Sequence, residues 1–136
     1  MRLPTIEKDF WALASGEARH AESPDSFWIP PLSERESLQI GQGVRLIFEI
    51  ESETEGGTID RGCERMWVVV SEIVPPYFIG RLNNQPAVVE EDSDFYLTRD
   101  AEVPFLPEHV IDIQQPPAAF TEALFSQAPR HVWPRA

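Results

Sequence analysis

The sequence predicts a small mainly-β domain of the α+β kind, a strongly bent sheet with a helix at each end. Three observations predict it. Apolar residues switch to strict alternation at Val44, and turn signals recur at short spacing through Gly56-Gly57, Pro75-Pro76 and Asn83-Asn84. The 136 residues suffice for one hydrophobic core without staples, and the single cysteine, Cys63, excludes an internal disulfide. The 13 prolines are dispersed, so they punctuate short elements instead of forming a disordered tract.

Residues 5–14 read as a helix: Thr5 suits the N-cap, Glu7 and Asp9 the first turn, and Ile6, Phe10 and Leu13 one face. Ser15-Gly16 reads as its stop, and 17–32 as an irregular loop ending in Phe27-Trp28-Ile29-Pro30-Pro31, which the two prolines hold extended. Ser33 and Glu36 have capping-box spacing, predicting one helical turn over 34–38. Val44, Leu46, Phe48 and Ile50 then alternate as in a half-buried strand, and 52–62 reads as a polar loop. Arg65–Ile73 is the strongest strand, apolar on both faces and therefore central. Tyr77–Leu82 is a third strand, with Gly80 at a bulge or bend. Pro86–Val89, Phe95–Thr98 and Glu102–Phe105 read as short strands, the last restricted to an edge by Pro104, and Val110–Ile113 follows a turn at Pro107. A second helix is expected over 118–127, with Phe120, Ala123, Leu124 and Gln127 on one face. The whole chain, 1–136, reads as a single domain with its β core at 27–113: a bent sheet or SH3-like barrel of five to six short strands.

Charge narrows the function. The net charge is −12, from 23 acids against 11 bases, which disfavours phosphate backbones and anionic lipid and favours a basic protein partner. Residues 33–74 hold nine acids and four bases, and 75–113 hold eight and two, so the acidity belongs to the strand region. Glu7, Lys8 and Asp9 stand where a signal peptide would be apolar, and the longest apolar tract, Met66–Val70, is strand-sized. With a lone cysteine, this implies a cytoplasmic protein that binds neither nucleic acid nor membrane.

Glu64-Arg65-Met66-Trp67-Val68, Gly80 to Pro86 and Phe105-Leu106-Pro107-Glu108-His109-Val110 follow one another at set spacing, preceded by Phe27-Trp28-Ile29-Pro30. Over residues 27–113 the chain resembles an uncharacterised family of small bacterial domains of unknown function, built on E-x-M-W-V, G-x-L-x-N-x-P and F-x-P-E-H-I. The resemblance implies a β-rich domain, with relatives standing alone or near proteins of bacterial conflict systems. It implies no activity and no catalytic residues. Where the family has a short aliphatic strand and a Gly-Asp turn, this chain has Glu90–Asp100.

Candidate chemistry is sparse. Cys63 lies near Arg61 and Arg65, and a thiolate nucleophile there would need His109 as base; the alternative is a strand cysteine with no chemical role. Glu108-His109 offers a general base or two metal ligands, against a helix-start glutamate and a satisfied buried histidine. No metal site is expected: H-E-x-x-H is absent, and Asp92-x-Asp94 lacks the glycine of a calcium loop. Gly41-Gln42-Gly43 is too short for a phosphate loop, so no cofactor is expected either. Glu49, Glu51, Glu53 and Glu55 alternate along one strand; beside Glu90, Glu91, Asp92 and Asp94 they would form an anionic patch, against a merely solvated strand face. Trp28 reads as a cap over the core or as a binding hot spot.

The leading expectation is a non-enzymatic acidic interaction module, regulatory or immunity-type, docking a basic partner. The alternatives are a small hydrolase using His109 with Glu108, and a structural subunit with an apolar patch around Trp28.

Overall fold

A computed structural model describes all residues, 1–136. It is mainly β: a strongly curled half-barrel of antiparallel strands flanked by four short helices. The elements are α1 (Ile6–Asp9), β1 (Trp11–Leu13), α2 (Gly16–Glu22), α3 (Leu32–Glu36), β2 (Gly43–Glu53), β3 (Ile59–Val74), β4 (Tyr77–Leu82), β5 (Glu102–Phe105), β6 (Asp112–Gln114) and α4 (Ala118–Phe125), with a 3-10 turn at Pro107–His109. The sheet order is β1-β2-β3-β4-β5, and β6 joins the same edge of β2 as β1, further along. No helix is long and apolar enough to cross a membrane.

The period-2 pattern of β2 and β3 decides the core. Val44, Leu46, Phe48 and Ile50 with Met66, Val68 and Val70 fill the concave face, closed by Phe78, Leu82, Val103 and Phe105. β3 is central, as its two-faced apolar run requires, and Pro104 lies in the edge strand β5. The irregularity expected at Gly80 falls on the neighbouring strand: the β3–β4 register slips between Val70 and Glu72, leaving Ser71 of β3 as the extra residue, and Gly80 stands opposite Val70 beside it. A Cβ on Gly80 would come within 2.7 Å of Val68 Cγ2, so the close strand approach requires glycine.

The terminal segments are built into the core. Trp11 stacks on Phe48 and Tyr96 and meets Trp133 edge-on, and Trp133 Nε1 donates to the Arg2 carbonyl at 2.9 Å. Arg135 clamps Glu102 and Glu72. Burying Trp11 also corrects the predicted helix over 5–14. It ends at Asp9, Phe10 takes a left-handed turn, and the next three residues pair with β2 as an edge strand. An aromatic burial worth about 2–3 kcal/mol outweighs the modest propensity of one more helical turn.

Other local readings are corrected as well. Ser15-Gly16 starts a helix instead of stopping one: the Ser15 hydroxyl accepts from the Ala18 N–H, so α2 occupies part of the expected 17–32 loop. The turn expected over 34–38 begins at Leu32, because Pro31 takes the capping position ahead of Ser33. The expected 52–62 loop shrinks to 54–58, since both strands of the hairpin continue past it. Pro86–Val89 and Phe95–Thr98 are not strands. Gln85 ties that segment into turns, donating to the Val89 carbonyl and accepting from Thr98 and Arg99, while β5 takes the edge of β4. The last strand is shifted to Asp112–Gln114. The C-terminal helix forms over 118–125 but buries none of its residues; Phe120 remains 40% exposed. It is held from its C-terminal end, where Arg81 bonds Asp100 and the Leu124 and Gln127 carbonyls.

Candidate functional site

The hairpin of β2 and β3 outruns the rest of the sheet. β1 pairs with β2 as far as Ile50 and the Glu51 N–H donates to the Phe10 carbonyl at 2.9 Å; beyond that bond β2 has no strand neighbour on this edge. The 88–95 segment passes alongside and forms a groove of about 290 Å³ with it. Its floor is apolar, from Ile50, Val88, Val89 and Phe95, and Glu51, Glu53 and Glu90 stand along it. Val88 is 54% exposed, an apolar side chain held in water. Glu53 and Glu90 form no ion pair, and the nearest base to Glu51 is Arg61, at 3.9 Å. The segment is anchored from below: Glu64 on β3 accepts the Ala87 N–H at 2.9 Å.

The structure therefore brings Glu51, Glu53 and Glu90 together and disperses the other candidates. Glu49 lies further along β2, opposite Cys63. Glu55 sits in the hairpin loop, past the end of the strand, so it shares no strand face with the other three. Glu91 and Asp92 follow Glu90 in exposed turns, and Asp94 lines a different cleft with Arg2, Lys8 and Asp9. The outer strand face is not uniformly acidic either. In the β2–β3 register Arg65 stands opposite Ile47 and Arg61 opposite Glu51, while Arg45 on β2 shares that face. Sequence reasoning missed that these arginines share the face of the glutamates, and that Arg61 is the partner of Glu51. The signal that places them is their odd numbering on paired strands, and it becomes readable only once the register is known.

His109 is 4% exposed. Its Nδ1 accepts the Leu106 N–H at 3.0 Å, which leaves the proton of the neutral ring on Nε2, 3.6 Å from Glu108. Burial lowers its pKa to about 4. A histidine whose free lone pair is spent on the backbone has none to offer a substrate, so the hydrolase reading loses its base. Cys63 is exposed, with Glu49 as its cross-strand neighbour and no histidine beside it in the register. No group of three or more His, Cys, Asp or Glu side chains is placed to hold a metal.

The motif residues do structural work. Asn84 accepts the Trp67 N–H at 2.8 Å, joining two of the three motifs. Arg35, buried, donates to the Pro30 and Pro107 carbonyls and to Glu17, binding the Phe27–Pro31 segment to the third. Of that segment, Phe27 and Ile29 cap a second small cluster of Ala14, Ile47 and Ile111, and Trp28 faces outward, 66% exposed. The capping role read for Trp28 belongs to its two neighbours. Arg45, Arg65 and Asp112 surround it in place of an apolar patch.

Fold and site together define a curled antiparallel half-barrel carrying an acid-lined groove at the free end of its longest hairpin. No family model, curated protein or solved structure matches the chain.

Proposed function

We propose that the protein is a non-enzymatic interaction module that docks a basic, partly apolar segment of a protein partner in the groove between β2 and the 88–95 segment. One observation carries the reading: Glu51, Glu53 and Glu90 line a single apolar-floored groove, with Arg61 as the only base in ion-pair reach of any of them. An arginine or lysine entering it meets carboxylates, while the side-chain stems and apolar residues of the partner cover Val88 and Val89. The excess negative charge of the protein steers such a partner toward the groove. The regulatory or immunity-type role rests on the family resemblance.

The test uses a synthetic peptide of alternating arginine and leucine, titrated calorimetrically. Affinity should fall about tenfold or more between low and high salt, and by a similar factor in the Glu53→Gln/Glu90→Gln variant. Binding indifferent to both salt and substitution overturns the proposal.

A further inference from the structure

A second cleft, on the outer face of the sheet, has the opposite character. It measures about 210 Å³ and lies where the 26–28 loop meets β2, β3 and β6. Arg45 and Arg65 reach it from adjacent strands, with Phe27 and Trp28 on one side and Asp112 on the other. Both guanidiniums lie against aromatic rings, Arg65 over Phe27 at 5.2 Å and Arg45 over Trp67 at 6.0 Å. Neither makes an ion pair, although the chain carries 23 acids. The Nε of Arg45 is buried with no acceptor at all. A buried donor left unmade is costly; Arg45 is half-buried, and the two arginines that are buried outright, Arg35 and Arg81, both have acceptors. That Nε is closed to solvent, so a bound anion would meet the guanidinium ends of Arg45 and Arg65, which no carboxylate of the chain pairs.

The cleft is also preorganised. His20 Nδ1 meets the Phe27 carbonyl at 2.6 Å, and Arg35 fixes the Pro30 carbonyl at 2.8 Å, so the aromatic wall is pinned on both sides of Trp28. The exposed indole then offers a flat face beside two cations. Asp112 accepts the Ile113 N–H through Oδ1, and its carboxylate reduces the formal charge of the cleft while providing an acceptor for a hydroxyl or amine.

We propose that this cleft binds a small anion carrying a planar ring, of the mononucleotide class, with the phosphate between Arg45 and Arg65 and the ring stacked on Trp28. The volume admits a phosphate and part of a sugar, leaving the ring on the indole outside. The net charge of −12 repels a long phosphate polymer, so one phosphate is accommodated where a nucleic acid is not. The inference is independent of the docking groove, whose residues it does not use.

The probe is AMP, followed by tryptophan fluorescence and calorimetry on the full chain, with adenosine and inorganic phosphate alongside. Trp11 and Trp133 are buried, while Trp67 is half-buried against Arg45, so quenching reports on Trp28 and Trp67, and its loss in Trp28→Leu assigns it to Trp28. AMP should quench saturably and bind about tenfold or more tightly than either fragment. Arg65→Gln and Arg45→Gln should each weaken it about tenfold, and Trp28→Leu should reduce AMP to the affinity of phosphate. Arg65 is exposed, so its variant stays informative if Arg45→Gln fails to fold. Absence of AMP binding, AMP no tighter than its fragments, or affinity unchanged in the Arg65 and Trp28 variants overturns the proposal.

Discussion

The two faces of the β2–β3 ladder are built from alternate residues of the same strands, yet they behave as two different materials. The concave face, Val44 to Ile50 and Met66 to Val70 by twos, is closed and dry. The outer face carries Arg45, Glu49, Glu51, Arg61, Cys63 and Arg65, and is covered where Phe27 and Ile29 lie against Ile47 and at the far end, where Val69 is buried. A shift of one residue in register would exchange the two. The contrast teaches where to look for each property: stability comes from the inner set and from the backbone bonds that tie loops to it, while both proposed binding sites draw on the outer set and the hairpin end.

Four substitutions or conditions break or sharpen that contrast. Phe48→Ala removes a ring from the fully buried face and should cost about 4 kcal/mol in urea unfolding. Acidification should act next. Between pH 6.5 and about 4 the unfolded chain takes up a proton on His109 that the folded chain refuses, so this contribution is intact above pH 6.5 and is lost as pH falls toward 4. The loss is on the order of 3 kcal/mol from this group, and His109→Asn, which keeps an acceptor near the Leu106 N–H, should flatten the difference in urea midpoint across that window. Gly80→Ala forces Val68 away from β4 and should cost about 2 kcal/mol, read in the same unfolding assay. On the outer face, Glu51→Gln should change stability by no more than about 0.5 kcal/mol, since its partner Arg61 is long-range and solvated. A large cost there would mean that the outer face also holds the fold together.

Much of the fold was legible because it follows from periodicity. The alternation at 44–50, the two-sided run at 66–70 and Pro104 at an edge all mark positions whose environment is set by local pattern. The site was legible in part. Glu51, Glu53 and Glu90 could be named as acids on a strand and in a loop, but their meeting depends on the 88–95 segment turning back past β2. Gln85, through three hydrogen bonds, and Glu64, through one, impose that path, and side-chain bonds of this kind leave no pattern in the chain. The helix over 5–14 failed for the converse reason: its local periodicity was sound, and Trp11 was claimed by Trp133, more than a hundred residues away. His109 looked like chemistry in the sequence, and only the Leu106 N–H on its Nδ1 reveals its structural role.

The docking account is tested most directly by recording backbone amide shifts of the 15N-labelled protein as an arginine-leucine peptide is added at low salt. The account predicts that the largest shifts fall on residues 50–53 and 88–93 and disappear at high salt. Shifts that centre on the aromatic cleft around Trp28, or on no contiguous surface, would contradict it.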